Sequence, residues 1–281
     1  MTHAWLIIAH NEFEILQLLV SALDDVRNDL YVHIDKKVKT LPRLSVQKSR
    51  LFLLENRMDV RWGAPSQISC ELLLMRTALK SGQYDRFHII SGTHLPLKSR
   101  DQLTAFFDRY DGCELMHVWE KDERDIGNKL QRYNLFVNGF SSPAPGLQKF
   151  SRFCWTVAQG LQKRLRINRF PGKAFIKSDN WVSLTRQATE YLVGHAADIV
   201  RKYRFSYCGD EYFVATELNK AGGFHIVNTE QLLKVDFVLH NPRVYTMDDY
   251  EALASSDCLF ARKFSSSHMD IAQRIIQDAQ Q

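Results

Sequence analysis

At 281 residues, with 45% apolar and 25% charged positions, the chain has the composition of a globular protein with a large core, which excludes disorder and fibres. No run approaches the ~20 uncharged apolar residues of a membrane span. The start, MTHAWLIIAHNEFEI, has no basic leader before Glu12 and Glu14, so neither an export signal nor an anchor is expected in it. The net charge is +5, yet residues 126–178 hold ten Lys or Arg and no Asp or Glu, leaving 27 bases against 32 acids elsewhere.

The first ninety residues repeat an apolar β-type run, a turn and a segment of helical spacing. Ala4 to Ala9 reads as a buried strand, and Ile15, Leu16, Leu19, Val20 and Leu23 form the inner face of the helix after it. Leu30 to Ile34 is a second strand. Short runs at Leu51–Leu54 and Met58–Trp62 precede a helix over Ser66–Lys80, with Ile68, Leu72, Met75 and Leu79 on one face. Phe87 to Ile90 is another short strand, closed by Ser91-Gly92. This alternation predicts an α/β fold in which helices cover both faces of a mainly parallel sheet. No Pro/Gly/Ser-rich linker, repeat or low-complexity tract divides the chain, so one domain over residues 1–281 is expected.

The second half is more helical. Gln148–Arg169 mixes Phe150, Phe153, Val157, Leu161, Leu165 and Ile167 with Lys163, Arg164, Arg166 and Arg169, the pattern of a basic amphipathic helix stopped by Pro171-Gly172. The acid-free stretch around it suits phosphates, anionic lipid headgroups or nucleic acid, and equally a solvated helical face. Trp181–Leu184 reads as a short strand, with Thr185 capping a helix through Tyr203. Gly209-Asp210-Glu211 then opens an amphipathic helix, and the structural reading of its acids is an N-cap at Asp210 and a first-turn charge at Glu211. Leu232–Leu239 returns to the sheet. Cys70, Cys113, Cys154, Cys208 and Cys258 are odd in number and irregularly spaced, which reads as reduced thiols in a cytosolic protein without a zinc site.

In an open α/β sheet, ligands bind beyond the carboxyl ends of the strands. The residues there are Ala9-His10, Asp35, Trp62-Gly63 and Ser91-Gly92-Thr93-His94. Helix caps, a core Trp and plain turns account for each singly; on one edge they read as a site. The chain lacks a GxxxxGK[ST] loop, a GxGxxG turn, an HExxH helix and a GxSxG elbow, which removes weight from phosphate-loop kinases, dinucleotide oxidoreductases, zincins and α/β-hydrolases. There is no Asp-x-Asp pair; the nearest candidate for a metal is Glu120-Lys121-Asp122, beside cations that suit a solvated loop. Fixed cations can neutralise a leaving diphosphate in place of a metal. Arg262 and Lys263, set between Phe260 and Phe264, and Arg243 after Pro242 are the candidates, with solvated surface cations as the alternative.

These residues carry a resemblance. LIIAHNEFEIL (6–16), YVHIDKK (31–37), RWGAPS (61–66), FHIISGTHLPLKS (87–99), WVSLTR (181–186), GDEYFVATEL (209–218) and CLFARKF (258–264) are similar, in this order, to the core 2/I-branching and peptide O-xylosyltransferase family, glycosyltransferase family 14, in a smaller form expected in bacteria. The resemblance implies a GT-A-type fold, with a nucleotide-binding half at 1–125 and an acceptor and catalytic half at 126–281. It implies a metal-independent, inverting transferase that needs no cofactor beyond a UDP-sugar donor, with UDP-GlcNAc first and UDP-xylose next. By position Glu211 matches the family's catalytic base. Lys263, and with it Arg243 and Arg262, match the cations on the diphosphate. Ala9, His10, Asp35, Trp62 and Gly63 match the nucleotide pocket, and Asp210, Trp181 and His94 border the donor sugar and acceptor.

There are departures: His94 stands where the family commonly has Asp, and Lys177-Ser178-Asp179-Asn180 where a Gly-Ser pair precedes the Trp segment. On this reading the acceptor is a hydroxyl of a surface glycan or glycolipid in polysaccharide biosynthesis. The basic segment 149–173 then rests on the anionic inner face of the plasma membrane. Two alternatives remain at this point: a metal-dependent transferase using Glu120 and Asp122, and a non-catalytic polyanion-binding protein, for which no RNA-binding signature is present.

Overall fold

The computed structural model describes residues 1–239 and 241–280. In chain order its elements are β1 (His3–Ala9), α1 (Phe13–Ala22), β2 (Asn28–Ile34), β3 (Arg50–Leu53), α2 (Ser66–Ser81), β4 (Arg86–Ser91), β5 (Leu95–Pro96), α3 (Arg100–Arg109), β6 (Cys113–Met116), α4 (Glu123–Ile126) and α5 (Pro145–Arg164). There follow β7 (Ser183–Thr185), α6 (Arg186–Gly194), α7 (Ala196–Tyr203), α8 (Phe213–Ala221), β8 (His225–Asn228), β9 (Leu233–Val235), β10 (Phe237–Val238), β11 (Asn241–Pro242), α9 (Tyr250–Ala254), β12 (Phe260–Arg262) and α10 (Met269–Ala279).

Seven strands form the central sheet in the order β3-β2-β1-β4-β7-β6-β8. The pairs among β3, β2, β1 and β4 are parallel, as is β6 with β8; β7 runs antiparallel to both of its neighbours. The strands at the centre are nearly continuous apolar runs because helices cover both faces. One core holds side chains of α1, α3 and α10, and the other those of α2, α6, α7 and α8. The expected α/β architecture is therefore present, and strands from beyond residue 126 complete its sheet.

Registers set the site. Ala9 pairs with Ile34 and Ile8 with Ser91, so three chains leave the sheet side by side at His10, Asp35 and Gly92. Gly92 is required there, since a Cβ on it would lie 2.7 Å from the Cβ of Ala9. A second sheet, β5-β12-β9, joins Leu95–Pro96 to Phe260–Arg262 and so brings the SGTHLP and FARKF segments together.

Several elements differ from the sequence reading. Met58–Trp62 is not a strand, because its backbone bonds to the end of β2 instead: Lys36 N donates to Met58 O, and Met58 N to His33 Nε2. Leu232–Leu239 supplies β9 to the small sheet and β10 to a two-stranded hairpin, while β8 takes the central edge. The helix capped by Thr185 breaks at His195 into α6 and α7. The basic helix starts at Pro145 and ends at Arg164, before Pro171, in a Schellman turn with Arg166 at φ 53 and Ile167 N on Gln162 O.

Candidate active site

At the strand edge, Asp35 is buried and organises the loop after β3. One of its oxygens accepts from Lys37 N (2.8 Å), the other from Lys37 Nζ (2.7 Å) and Val60 N (3.0 Å). A carboxylate has about four acceptor sites, so one remains without a partner among the described residues. His10 has an exposed edge, yet the protein packed round its ring, and next the Lys263 charge, hold its pKa below the usual histidine value. Trp62 stands out, 56% exposed, with its ring edge-on to Tyr207. Gly63 beside it has φ +70, and a Cβ there would lie 2.5 Å from the Tyr207 ring. Its carbonyl accepts from Cys208 N (2.8 Å), which ties this loop to the Asp210-Glu211 turn.

Gly209–Glu211 is a 3₁₀ turn ahead of α8, and neither acid caps that helix. The N-cap reading of Asp210 is thereby corrected: its side chain is buried and accepts from Gln67 Nε2 (3.0 Å) and Asn180 Nδ2 (3.3 Å). Burial first, and then the Glu211 charge, push its pKa up to about 7. Beneath it lies Glu71 of α2, fully buried with neither oxygen hydrogen-bonded among the described residues; burial and then the Asp210 charge hold its pKa well above the carboxylate range.

Glu211 is half-buried. Its Oε2 accepts from Lys129 Nζ at 2.7 Å, Lys177 Nζ stands 3.7 Å away, and its other oxygen accepts no hydrogen bond among the described residues. Lys129 sits in a π-helical turn, Gly127–Gln131, a distortion found frequently at functional sites. Burial works against its charge, but Glu211 and Asp125 outweigh burial and raise its pKa. Asp125 gathers Tyr212 OH (2.7 Å), Lys177 Nζ (3.1 Å) and Lys129 Nζ (3.2 Å). The departing segment 177–180 crosses this site, since Ser178 N donates to Glu211 O and Trp119 Nε1 donates to Asp179.

The three C-terminal cations differ in their partners. Arg243 forks onto Asp249 at 2.6 and 2.8 Å and also reaches Asp236 at 3.2 Å. Arg262 lies over the Trp181 ring at 5.0 Å, and burial lowers its pKa to about 10 against the pull of Asp179. Its Nε is buried without a partner among the described residues. Lys263 has no carboxylate within 4.0 Å among the described residues, and its charge is felt at His10. Trp181 also meets His94 edge-on, with ring centroids 5.0 Å apart. His94 Nδ1 accepts from Ser91 N (3.2 Å), which leaves the proton on a buried Nε2; burial, then Arg262, keeps the ring neutral.

Hydrogen bonds and charge coupling thus link Ala9, His10, Asp35 and Lys263 at one edge, Trp62 and Gly63 to Asp210 and Glu211, and His94 to Trp181 and Arg262. Arg243 is held by its own acids. Asp122 caps α4 by accepting from Arg124 N and Asp125 N, and Glu120 is exposed in the loop before it. No three His, Cys, Asp or Glu side chains cluster as a metal's ligands among the described residues. The sequence reading missed Lys129, Asp125 and Glu71. Lys129 was visible only as one of ten cations in the acid-free stretch, and a Glu in mid-helix among Ile68, Leu72 and Met75 was the available signal for Glu71.

Comparisons with known proteins agree with the resemblance. The chain is 26% identical to xylosyltransferase 1 of Rattus norvegicus over 219 residues, covering 75% of this chain and 24% of that protein. The figures for xylosyltransferase 1 of Homo sapiens are 26%, 75% and 20%. The chain therefore spans between a fifth and a quarter of the length of these curated relatives. A solved structure, mouse xyloside xylosyltransferase 1 in its apo form, aligns at 10% identity with a TM-score of 0.38, covering 92% of this chain and 96% of that one. A model of the Core-2/I-Branching enzyme family matches residues 3–244 of the 281, and the chain belongs to that family of glycosyltransferases.

Proposed function

We propose that the chain transfers a sugar from a UDP-sugar to a hydroxyl of a glycan or glycolipid, with inversion and without a metal. The observation that carries this is the Glu211 carboxylate, with one oxygen fixed by Lys129 and the other accepting no hydrogen bond among the described residues. Trp62 and the strand-edge residues Ala9, His10 and Asp35 receive the nucleotide, and Lys263, coupled by charge to His10 and without a carboxylate partner among the described residues, receives the diphosphate.

In a single displacement, the open oxygen of Glu211 takes the acceptor hydroxyl's proton as the hydroxyl oxygen bonds to C1 of the sugar. The bond from C1 to the diphosphate breaks with its electron pair going to the diphosphate oxygen, where Lys263 stabilises the added charge. Arg262 on Trp181, and neutral His94 behind it, support the donor-sugar side. Metal independence is supported by the Lys263 ammonium, which has no carboxylate partner among the described residues, and by the capping role that Asp122 already performs.

UDP release from a panel of UDP-sugars, with and without EDTA, tests this without an acceptor, with water taking the acceptor's place in a slow hydrolysis. One donor, UDP-GlcNAc first and UDP-xylose next, should turn over equally in both conditions. Activity lost with EDTA would move the chemistry toward a metal at Glu120 and Asp122, and no binding of any UDP-sugar would reject the transfer reading.

A further inference from the structure

Helix α5 is packed inside out. The side chains it turns toward the body are mostly polar: Ser151, Gln159 and Gln162 are buried, and Gln159 donates to Asn134 (2.9 Å) and Gln162 to Tyr133 O (3.0 Å). Trp155 accompanies them, donating to Asn134 at 2.8 Å. Leu147, Phe150, Phe153, Val157, Leu161 and Leu165 are each more than half exposed. At about 100° per residue they share one arc of roughly 120° on the outer side, along about 27 Å of helix. An exposed contiguous apolar face of that kind marks an interaction surface.

Charge names the occupant. Arg164 lies within the arc, Lys149 about 40° beyond one edge, and Lys163 and Arg152 follow on the same side at about 80° and 100°, all exposed and none with a carboxylate within 4.0 Å among the described residues. Two copies of α5 would set these cations against each other, because residues 126–178 contain no acid to pair with them. An anionic lipid surface accepts both features: the apolar arc enters the headgroup boundary while the long basic side chains reach phosphates. No helix among the described residues is long and apolar enough to cross a membrane, so the contact is in the plane of the interface.

We propose that the outer face of α5 docks the protein onto an anionic lipid membrane. Its inner face connects to the candidate site through rings: Trp155 lies 5.9 Å from Tyr207, and Tyr207 lies 5.7 Å from Trp62 and precedes the Cys208–Glu211 turn. Docking therefore holds the site close to the lipid surface. Resting on the transfer reading, this points to an acceptor hydroxyl on a lipid-linked glycan.

The test is sedimentation of the purified chain with phosphatidylcholine vesicles, with and without phosphatidylglycerol. The chain should pellet with the anionic vesicles and release in high salt. Both Phe150→Ser/Phe153→Ser/Leu161→Ser and Lys149→Glu/Arg152→Glu/Lys163→Glu should lose at least about tenfold in partitioning, while soluble UDP-sugar hydrolysis stays at the wild-type rate. Equal partitioning to neutral and anionic vesicles would overturn the proposal, as would variants that bind like wild type. A wild-type dimer in sedimentation equilibrium that the serine variant lacks would also overturn it, assigning the face to a second copy. Vesicle binding needs no donor, so it stands or falls separately from UDP-sugar turnover.

Discussion

Lys129 Nζ and Glu211 Oε2, 82 residues apart in sequence, lie 2.7 Å apart in the fold. The ammonium fixes one oxygen of the carboxylate, so only the other is free to accept a proton. The same ammonium lies 3.2 Å from Asp125, which is itself held by Tyr212 and Lys177, so its position is set from several sides.

With Glu211 as the proposed base, Lys129 acts as a positioning residue. Lys129→Met should lower kcat about tenfold or more with little change in KM for the donor, the size expected for one charge-assisted hydrogen bond. Lys129→Arg should recover most of the loss. An equal loss in both variants, or a loss confined to KM, would place Lys129 in the scaffold alone.

Lys263 and Arg243 should separate cleanly. Lys263→Ala should weaken UDP binding by roughly tenfold or more, as removal of a cation from phosphate does. Arg243→Met should leave UDP affinity within about twofold and cost about 1 kcal/mol or less of stability, because its guanidinium is already paired with Asp249 and Asp236 in a partly solvated site. Calorimetric titration with UDP and thermal melts of both variants decide it; the reverse ranking would make Arg243 the diphosphate ligand.

Asp210 gives stability a pH dependence. Folded, it holds its proton up to about pH 7, whereas an unfolded Asp releases it near pH 4. Between those values the folded state binds more protons than the unfolded, so this contribution to stability is present below about pH 4 and is lost as pH rises to about 7. Asp210→Asn removes the titration and keeps an oxygen for Gln67 and Asn180. Denaturant melts should show the variant gaining about 1–3 kcal/mol on wild type between about pH 5 and pH 8. A constant difference across that range would show that Asp210 is ionised throughout.

Much of this was legible in the sequence because buried strands and helix faces write their period directly. Ala4–Ala9, Leu30–Ile34 and Ser66–Lys80 fall on β1, β2 and α2, and the residues after each strand reach one edge. Partners were not legible. Arg243 and Lys263 look alike as cations, and only the fold brings Asp249 and Asp236 onto one and leaves the other without a carboxylate partner among the described residues. Lys129 reached Glu211 from a stretch whose composition suggested only a basic surface. Periodicity also located the apolar arc of α5 but not its direction, since a helix wheel is the same whether the arc faces core or solvent.

The central assignment is Glu211 as the base, and the direct measurement is turnover and UDP affinity of Glu211→Gln. The amide keeps the shape and cannot take the proton, so kcat should fall by roughly 10²-fold or more, with UDP affinity within about twofold of wild type. Wild-type turnover in this variant would contradict the account and move the base to another residue of the site.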